Sequence, residues 1–519
     1  MEPKLPDIEE LLKRRTLVDL PVSEAVQCLG ANIDAAWDSN RLDVLSHIVE
    51  TLAGTIDTSH MVPVDECLLC FFLANAWNGI KFLSSKDPGG GWAWESRAIE
   101  QETICIRSAV TSDGLFQQPV IRVCQIHTNL ANCYDTTGRF VEALSEWDRA
   151  LLIEPAFGMA KGNRAVGLWT YARSVYDEGH ALVLAREAWS HLDPTGLAAL
   201  EPGADVHFAV VRKQIENSVP DDVLLKPFDL DGFEMGGEDE EREYRQWCLH
   251  KRFFLNPLND LGPVRIATRD ILSCPPIVAR LDEGPRFHDF MNQIKQEYCT
   301  ARWLIYEATR EQPPHFSDRD VLLFNTLDYP SYGLRTEQLK LGFRALYSLF
   351  DKIAFFLNAY LDLGIAERDV SFRGLWYVKQ KRPKGIRSEF TARENWPLRG
   401  LFWLGKDLYE DTEGFREVID PAAKRLNEIR NHLEHKYLKL HSDPWGGPES
   451  NLFTDGLAVS LGRDEFEDMT LHLLRMARAA IIYLTLGVHR EERIRAKQRD
   501  PNEITPPMFL DNWEDDWKA

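Results

Sequence analysis

The spacing of small and large side chains between residues 124 and 155 constrains this chain more than any other feature. Leu130, Ala131, Tyr134, Gly138, Ala143, Trp147, Ala150 and Pro155 place small residues where two helices touch and large ones between them, with Gly138 at the turn and Pro155 as the stop. Such a hairpin cannot bury its own apolar face, so at least three stacked helical pairs are expected. Leu73, Ala74 and Trp77 occupy the matching first-helix positions of a weaker preceding unit. A weaker following unit begins near Asn163-Arg164-Ala165 and ends at Pro194, and helices around residues 42–52 are expected to cap the stack. The expected fold class is therefore all-α.

A chain of 519 residues is too long for one core, so two or three domains are expected. Between residues 222 and 243 the periodicity fades into Pro227, Gly236-Gly237 and the run Glu238-Asp239-Glu240-Glu241, which reads as a solvated linker. Turn chemistry in Asn256-Pro257-Leu258-Asn259-Asp260-Leu261-Gly262-Pro263 then breaks any long helix and predicts an irregular layer packed on the second domain. The expected division is an N-terminal helical cap (1–60), repeats (61–221), linker and connecting layer (222–284), helical domain (285–495) and acidic, Pro-containing tail (496–519).

Within the helical domain Phe290, Ile294, Tyr298, Ala301, Leu304 and Ile305 form one stripe, and residues 339–360 read as a central helix apolar over most of its girth. Lys340, Arg344, Ser348, Asp351 and Asn358 gather on its one polar seam, for which solvent or structural hydrogen bonds are the favoured surroundings. Should the seam line a site, Arg344 and Asp351 are its supporting residues. Further helices are expected at 396–409, 422–440 and 466–488.

Net charge is -21, so any nucleic acid must be met by a local basic patch. Lys379, Lys381, Arg382, Lys384 and Arg387 form the densest basic stretch, with Trp376 and Tyr377 beside them for stacking, and are the candidate RNA-binding rim; a solvated loop explains them equally well. No apolar stretch follows a basic start at the N-terminus, and no window of about 18 residues is free of charge. A cytoplasmic protein with no membrane association is expected. Nine cysteines read as buried thiols of a reducing compartment, and Cys67 and Cys70, in an apolar run with no second pair, read as core filling.

An Arg, four residues, then His pattern occurs five times, ending at His127, His191, His250, His315 and His435. His127 and His191 fall inside the repeats, Pro313 and Pro314 interrupt the pattern ending at His315, and an acidic linker adjoins Arg245 and His250. Arg430 to His435 instead lies on an amphipathic segment whose expected buried face is Ala422, Leu426, Ile429, Leu433, Tyr437 and Leu440. Asn431 and His435, four apart, sit one above the other, while Arg430 is offset from His435 by about 140° and about 7.5 Å along the axis. One helix thus makes half a site. Two such helices around a two-fold axis could bracket a phosphodiester, which predicts a homodimer. RNA carries its own nucleophile: His435 would take the 2′-hydroxyl proton, Arg430 would stabilise phosphate charge and Asn431 would orient His435 or hold a phosphate oxygen, with no cofactor or metal. The competing reading pairs Arg430 with Glu434 and sets His435, Lys436 and Lys439 at a helix C-terminus. A zinc site from His432, His435 and His441 is disfavoured, because no carboxylate or cysteine completes it.

The block Leu426-Asn427-Glu428-Ile429-Arg430-Asn431-His432-Leu433-Glu434-His435 resembles the signature helix of HEPN domains, whose active members carry Arg, a polar residue, three further residues, then His. A bacterial branch with TPR-like N-terminal repeats is similar through Asn292-Gln293-Ile294, Phe316-Ser317-Asp318-Arg319-Asp320, Tyr347-Ser348-Leu349-Phe350-Asp351 and Arg399-Gly400-Leu401-Phe402-Trp403. The resemblance implies a TPR-like helical-hairpin superhelix followed by a HEPN-like helical bundle. It further implies a dimeric, metal-independent endoribonuclease of toxin or anti-phage type that acts on RNA and takes a protein or peptide ligand in its TPR-like groove. The alternative it leaves open is a non-catalytic dimeric scaffold or sensor for a protein or nucleotide.

Overall fold

Helices account for nearly all regular structure in the computed structural model, which describes residues 7–84, 93–198, 200–311, 313–408, 421–442, 457–500 and 505–518. The front half comprises α1 (Ile8–Leu11), α2 (Val22–Asp38), α3 (Leu42–His47), α4 (Pro63–Ser84), α5 (Arg97–Thr111), α6 (Val120–Thr136), α7 (Phe140–Ile153), α8 (Gly158–Ala172), α9 (Glu178–His191), α10 (Ala204–Ser218) and α11 (Asp221–Leu225). Helices α4 and α5, α6 and α7, and α8 and α9 pack as successive hairpins, the three stacked pairs that the spacing demands. Ala131, Ala143 and Ala150 are fully buried where helices touch, and Trp147 fills the space between them. Gly138 turns the chain between α6 and α7 at φ +86°, and a Cβ there would stand 2.2 Å from the carbonyl oxygen of Trp396. The position thus needs glycine for its backbone angle and for a close approach. Cys67 is buried and Cys70 partly so, and burial pushes both thiols well up, to about 11 and about 12, as core cysteines require.

The acidic run does not stay a loop: it opens α12 (Asp239–Lys251), where Asp239, Glu240 and Glu241 occupy the first turn and His250 and Lys251 the last, as the helix dipole favours. Residues 253–260 beyond it are buried without exception. Asn259 donates to the carbonyls of Leu249 and Gly262 at 3.1 and 3.2 Å, and Asp260 accepts from Arg478 at 2.6 Å and from the Tyr171 hydroxyl at 3.0 Å. This irregular turn is buried at little cost because its polar groups are satisfied.

The back half comprises α13 (Arg286–Thr309), α14 (Leu334–Tyr360), α15 (Ser388–Thr391), α16 (Trp396–Lys406), α17 (Pro421–His435), β1 (Tyr437–His441), β2 (Ala458–Gly462) and α18 (Arg463–Gln498). α13 and α14 pair, and α18 packs on both and on α16. α4 and α18 are long and apolar enough to cross a membrane by length and composition alone, but 83% of the apolar window of α18 is buried inside the fold, as a central bundle helix requires. The expected helix 422–440 stops at His435: residues 437–441 instead pair in parallel with 458–462, Tyr437 opposite Ala458 and His441 opposite Gly462. Leu438 and Leu440 are buried while Tyr437 is exposed, an alternation of period two that Leu433, Tyr437 and Leu440 disguise as a helical stripe.

One apolar core extends from Trp94 in the repeats to Val488 in α18, and a second joins the N-terminal helices to the first hairpins. The halves also meet through buried polar contacts. Asp407, 1% exposed just after α16, takes a bidentate pair from Arg107 on α5 at 2.7 Å and a further bond from Arg139 beside the α6–α7 turn. Trp403 and Trp396 on α16 donate their indole N–H groups to the carbonyls of Trp94 at 2.8 Å and Asp135 at 3.0 Å.

Asp407→Asn weakens the carboxylate that two buried guanidinium groups share and is expected to cost about 3–5 kcal/mol, read as a lower urea midpoint. Asp19→Asn, at the exposed pair with Arg14, is expected to change stability by less than about 0.5 kcal/mol.

The Oδ1 atom of Asp135 is buried with no hydrogen-bond partner, and this burial pushes its carboxyl up to about 7. The unfolded chain releases that proton near pH 4 and the folded chain only near 7. Stability is therefore lost as pH rises through that interval. Asp135→Asn is expected to raise stability at pH 8 by roughly 1–3 kcal/mol and to change it little at pH 4, as measured by thermal unfolding at both values.

Candidate functional site

Helix α17 is held by one face and open on the other. Leu426 and Ile429 are fully buried and Leu433 nearly so, a stripe at i, i+3 and i+7 that keys the helix against α14. Near its start Arg425 pairs with Glu428 at 2.8 Å and reaches Glu465 on α18 at 3.5 Å. Asn431 is exposed on the far side and Arg430 is half-buried at the flank, as the helical angles require.

Arg430 donates to the Asn431 side-chain oxygen at 3.3 Å, and its guanidinium lies 5.6 Å from the centre of the Tyr347 ring on α14. Tyr347 is itself buried, its hydroxyl directed to the carbonyl of Leu408 at 3.4 Å. A fixed aromatic ring behind a guanidinium restricts its rotamers and leaves its donor edge free to meet an anion. Among the described residues no carboxylate pairs with Arg430. The side chains of Glu434 and His435, and that of Ala422, lie outside the described residues, so the expected stacking of Asn431 and His435 is present here as backbone spacing alone.

His432 directs Nδ1 to the carbonyl of Glu428 at 2.9 Å, within its own helix. His441 is buried on β1, both ring nitrogens without a hydrogen-bond partner. The polar seam of α14 divides in two. Lys340 pairs with Glu337 at 2.8 Å, Arg344 and Ser348 are exposed, and Arg344 sits one turn before Tyr347. Asp351 is a turn anchor, accepting from the Phe372 N–H at 3.0 Å, and Asn358 exchanges two hydrogen bonds with the main chain of Ile365.

The basic stretch forms a narrow loop in which Tyr377 bridges Ile386 and the Val378 N–H meets the Gly385 carbonyl at 3.0 Å. Arg382 is committed to Glu100 at 2.8 Å and Arg387 to the carbonyl of Leu363 at 2.7 Å, while Lys379, Lys381 and Lys384 are exposed. Trp376 and Tyr377 are 2% and 8% exposed, so the expected stacking surface is absent: both rings are spent in the core. Of the competing Arg and His pairs, His127 bonds Glu146 at 2.9 Å, and burial beside Arg164 and Lys161 drives His191 down to about 4. His250 bonds the carbonyl of Gln246 at 2.8 Å, and α13 ends at Thr309, before Arg310.

Tyr347 is the contributor that residue spacing does not reveal. Its sequence signals are a place in one of the stretches that resemble the HEPN branch and a hydroxyl on a helix face that is otherwise hydrocarbon.

Asn431→Ala is expected to alter stability by less than about 0.5 kcal/mol, because the side chain is exposed. Ile429→Ala, on the buried face of the same turn, is expected to cost about 2–5 kcal/mol; urea unfolding of the two variants measures the difference.

Residues 278–491 match the family described as LA2681-like HEPN, a span that holds α13 to α17, both strands and most of α18. No curated protein and no solved structure matches the chain.

Proposed function

Because residues 278–491 form a HEPN domain, we propose that this protein is a metal-independent endoribonuclease that cuts RNA by 2′-hydroxyl transesterification as a homodimer. HEPN domains as a class bind RNA and often dimerise, which supports the coarse reading. The observation that carries the finer one is the state of Arg430: backed by Tyr347, bonded to the exposed Asn431 and paired with no described carboxylate. A guanidinium so placed has its donors available for a phosphate.

In the proposed reaction a neutral His435 takes the 2′-hydroxyl proton and the 2′-oxygen attacks phosphorus. The bond to the 5′-oxygen breaks as that oxygen takes a proton from the facing His435 of the second copy or from water, and the products are a 2′,3′-cyclic phosphate and a 5′-hydroxyl. Arg430 holds the phosphate oxygens while their charge grows, and Asn431 orients His435 or a phosphate oxygen. The second copy contributes the facing Arg430 and His435. The TPR-like groove takes a protein or peptide that restrains or triggers the nuclease, in a cytoplasmic toxin or anti-phage role.

Purified protein incubated with RNA in EDTA tests the reading. The wild type is expected to cut and leave cyclic phosphate ends, while His435→Ala and Arg430→Ala are each expected to lower the rate by about 10²–10⁴-fold. A wild type inert under every activating condition points to a scaffold, and activity that EDTA abolishes points to a metal.

A further inference from the structure

The segment between α13 and α14 carries an apolar surface that nothing in the described chain covers. Eight large apolar side chains between Phe316 and Tyr332 are more than half exposed, with Leu322 at 83% and Phe324 at 80%. Val321, Leu322, Leu323 and Phe324 are consecutive and exposed on both sides of an irregular, non-helical stretch. Among the described residues, no hydrogen bond between main-chain groups engages residues 320–330. Apart from the Leu327 N–H, which the Asn325 side chain accepts at 2.8 Å, the main-chain groups of this stretch are open in the manner of an unpaired strand edge. Three non-glycine residues, Asp320, Leu327 and Tyr329, hold positive φ, a conformation that bulky side chains adopt only under constraint.

The ends of the segment are fixed to the candidate site. Asp318 caps α14 through the Leu334 N–H at 3.0 Å. The Ser331 N–H meets the Leu440 carbonyl at 2.6 Å, and Asp328 pairs with Lys439 at 2.6 Å, both on β1, the strand that directly follows α17. Tyr437 at the start of β1 and Leu457 just before β2 extend the exposed apolar surface.

We infer that residues 319–332 are a dimerisation arm that pairs with the same segment of a second copy of this chain. Charge selects that occupant. The chain carries -21 overall, so two copies repel except through a neutral window. Residues 319–332 hold three charged side chains, of which Arg319 and Asp320 are neighbours of opposite sign and Asp328 is neutralised by Lys439. Form selects it as well: between the positive-φ residues Asp320 and Leu327 the main chain of residues 321–326 is unpaired among the described residues, and antiparallel pairing with the same stretch of a second copy about a two-fold axis satisfies both sets of main-chain groups at once. The exposed side chains amount to on the order of 1,000 Å², against about 800 Å² per partner in a stable interface. The arm is tied to the strand after α17, so pairing fixes the two motif helices relative to one another. That last consequence rests on reading Arg430 and His435 as half of a site; the contact itself does not.

Sedimentation velocity of the full chain over a range of concentrations tests the arm. The wild type is expected to run as a dimer, and Leu322→Glu with Phe324→Glu as a monomer with unchanged helical circular dichroism, since both side chains lie on the surface. A monomeric wild type overturns the inference, and so does a double variant that remains dimeric. Variants that change RNA binding while the mass stays monomeric overturn it too, and assign the surface to RNA. The cleavage assay separates the two readings. A dimer that the double variant splits but that cuts no RNA removes the nuclease and leaves the arm, whereas an active enzyme whose double variant stays dimeric removes the arm and leaves the chemistry.

Discussion

The carboxylate of Asp407, shared by Arg107 and Arg139, is the contact on which the arrangement of this protein turns. A charge taken out of water is tolerated only where opposite charges and hydrogen bonds replace the lost hydration. The three residues come from α5, the α6–α7 turn and the end of α16, so the requirement can be met only when the repeats and the C-terminal helical domain are docked. Around it Gly138 and Gly400 let two backbones approach closely, and the indoles of Trp396 and Trp403 find carbonyls across the same boundary. The repeats are therefore one wall of the core from which α18 is built.

That rigidity bears on the candidate site. α17 follows α16 in the chain and rests on α14 through Leu426, Ile429 and Leu433, while Arg430 lies against a tyrosine whose hydroxyl is held by the residue after Asp407. A guanidinium on a mobile surface helix would lose much of its rotamer entropy on meeting a phosphate. Backing it with a buried ring removes part of that loss beforehand, the preorganisation that the role proposed for Arg430 calls for.

Much of this was legible from residue order. The α6–α7 hairpin, its turn at Gly138 and the long helices α13, α14 and α18 follow from apolar periodicity, since a helix face is written locally in every third or fourth residue. The motif segment was legible as a helix open on one side, and Asn431 and Arg430 lie where 100° per residue places them. Its end was not. Residues 437–441 satisfy a helical and an alternating pattern together, and only their pairing with residues 458–462 decides between the two. The acidic run at Glu238 looked like a linker because composition reports charge density, whereas its position at a helix N-terminus makes the same charges stabilising.

By itself, then, the order of residues determined the helical class, the stacked hairpins and the presence of a one-sided motif helix, because each is a property of neighbours in the chain. Tertiary structure decided which charged and aromatic side chains remain free. Arg382, Arg387 and Asp351 read as candidate site groups but are consumed by Glu100, Leu363 and Phe372, and Trp376 and Tyr377 vanish into the core. Arg430, equally basic, meets a ring and, among the described residues, no acid. Whether a charge is structural or available depends on what distant segments bring within about 4 Å of it, and no local pattern encodes that.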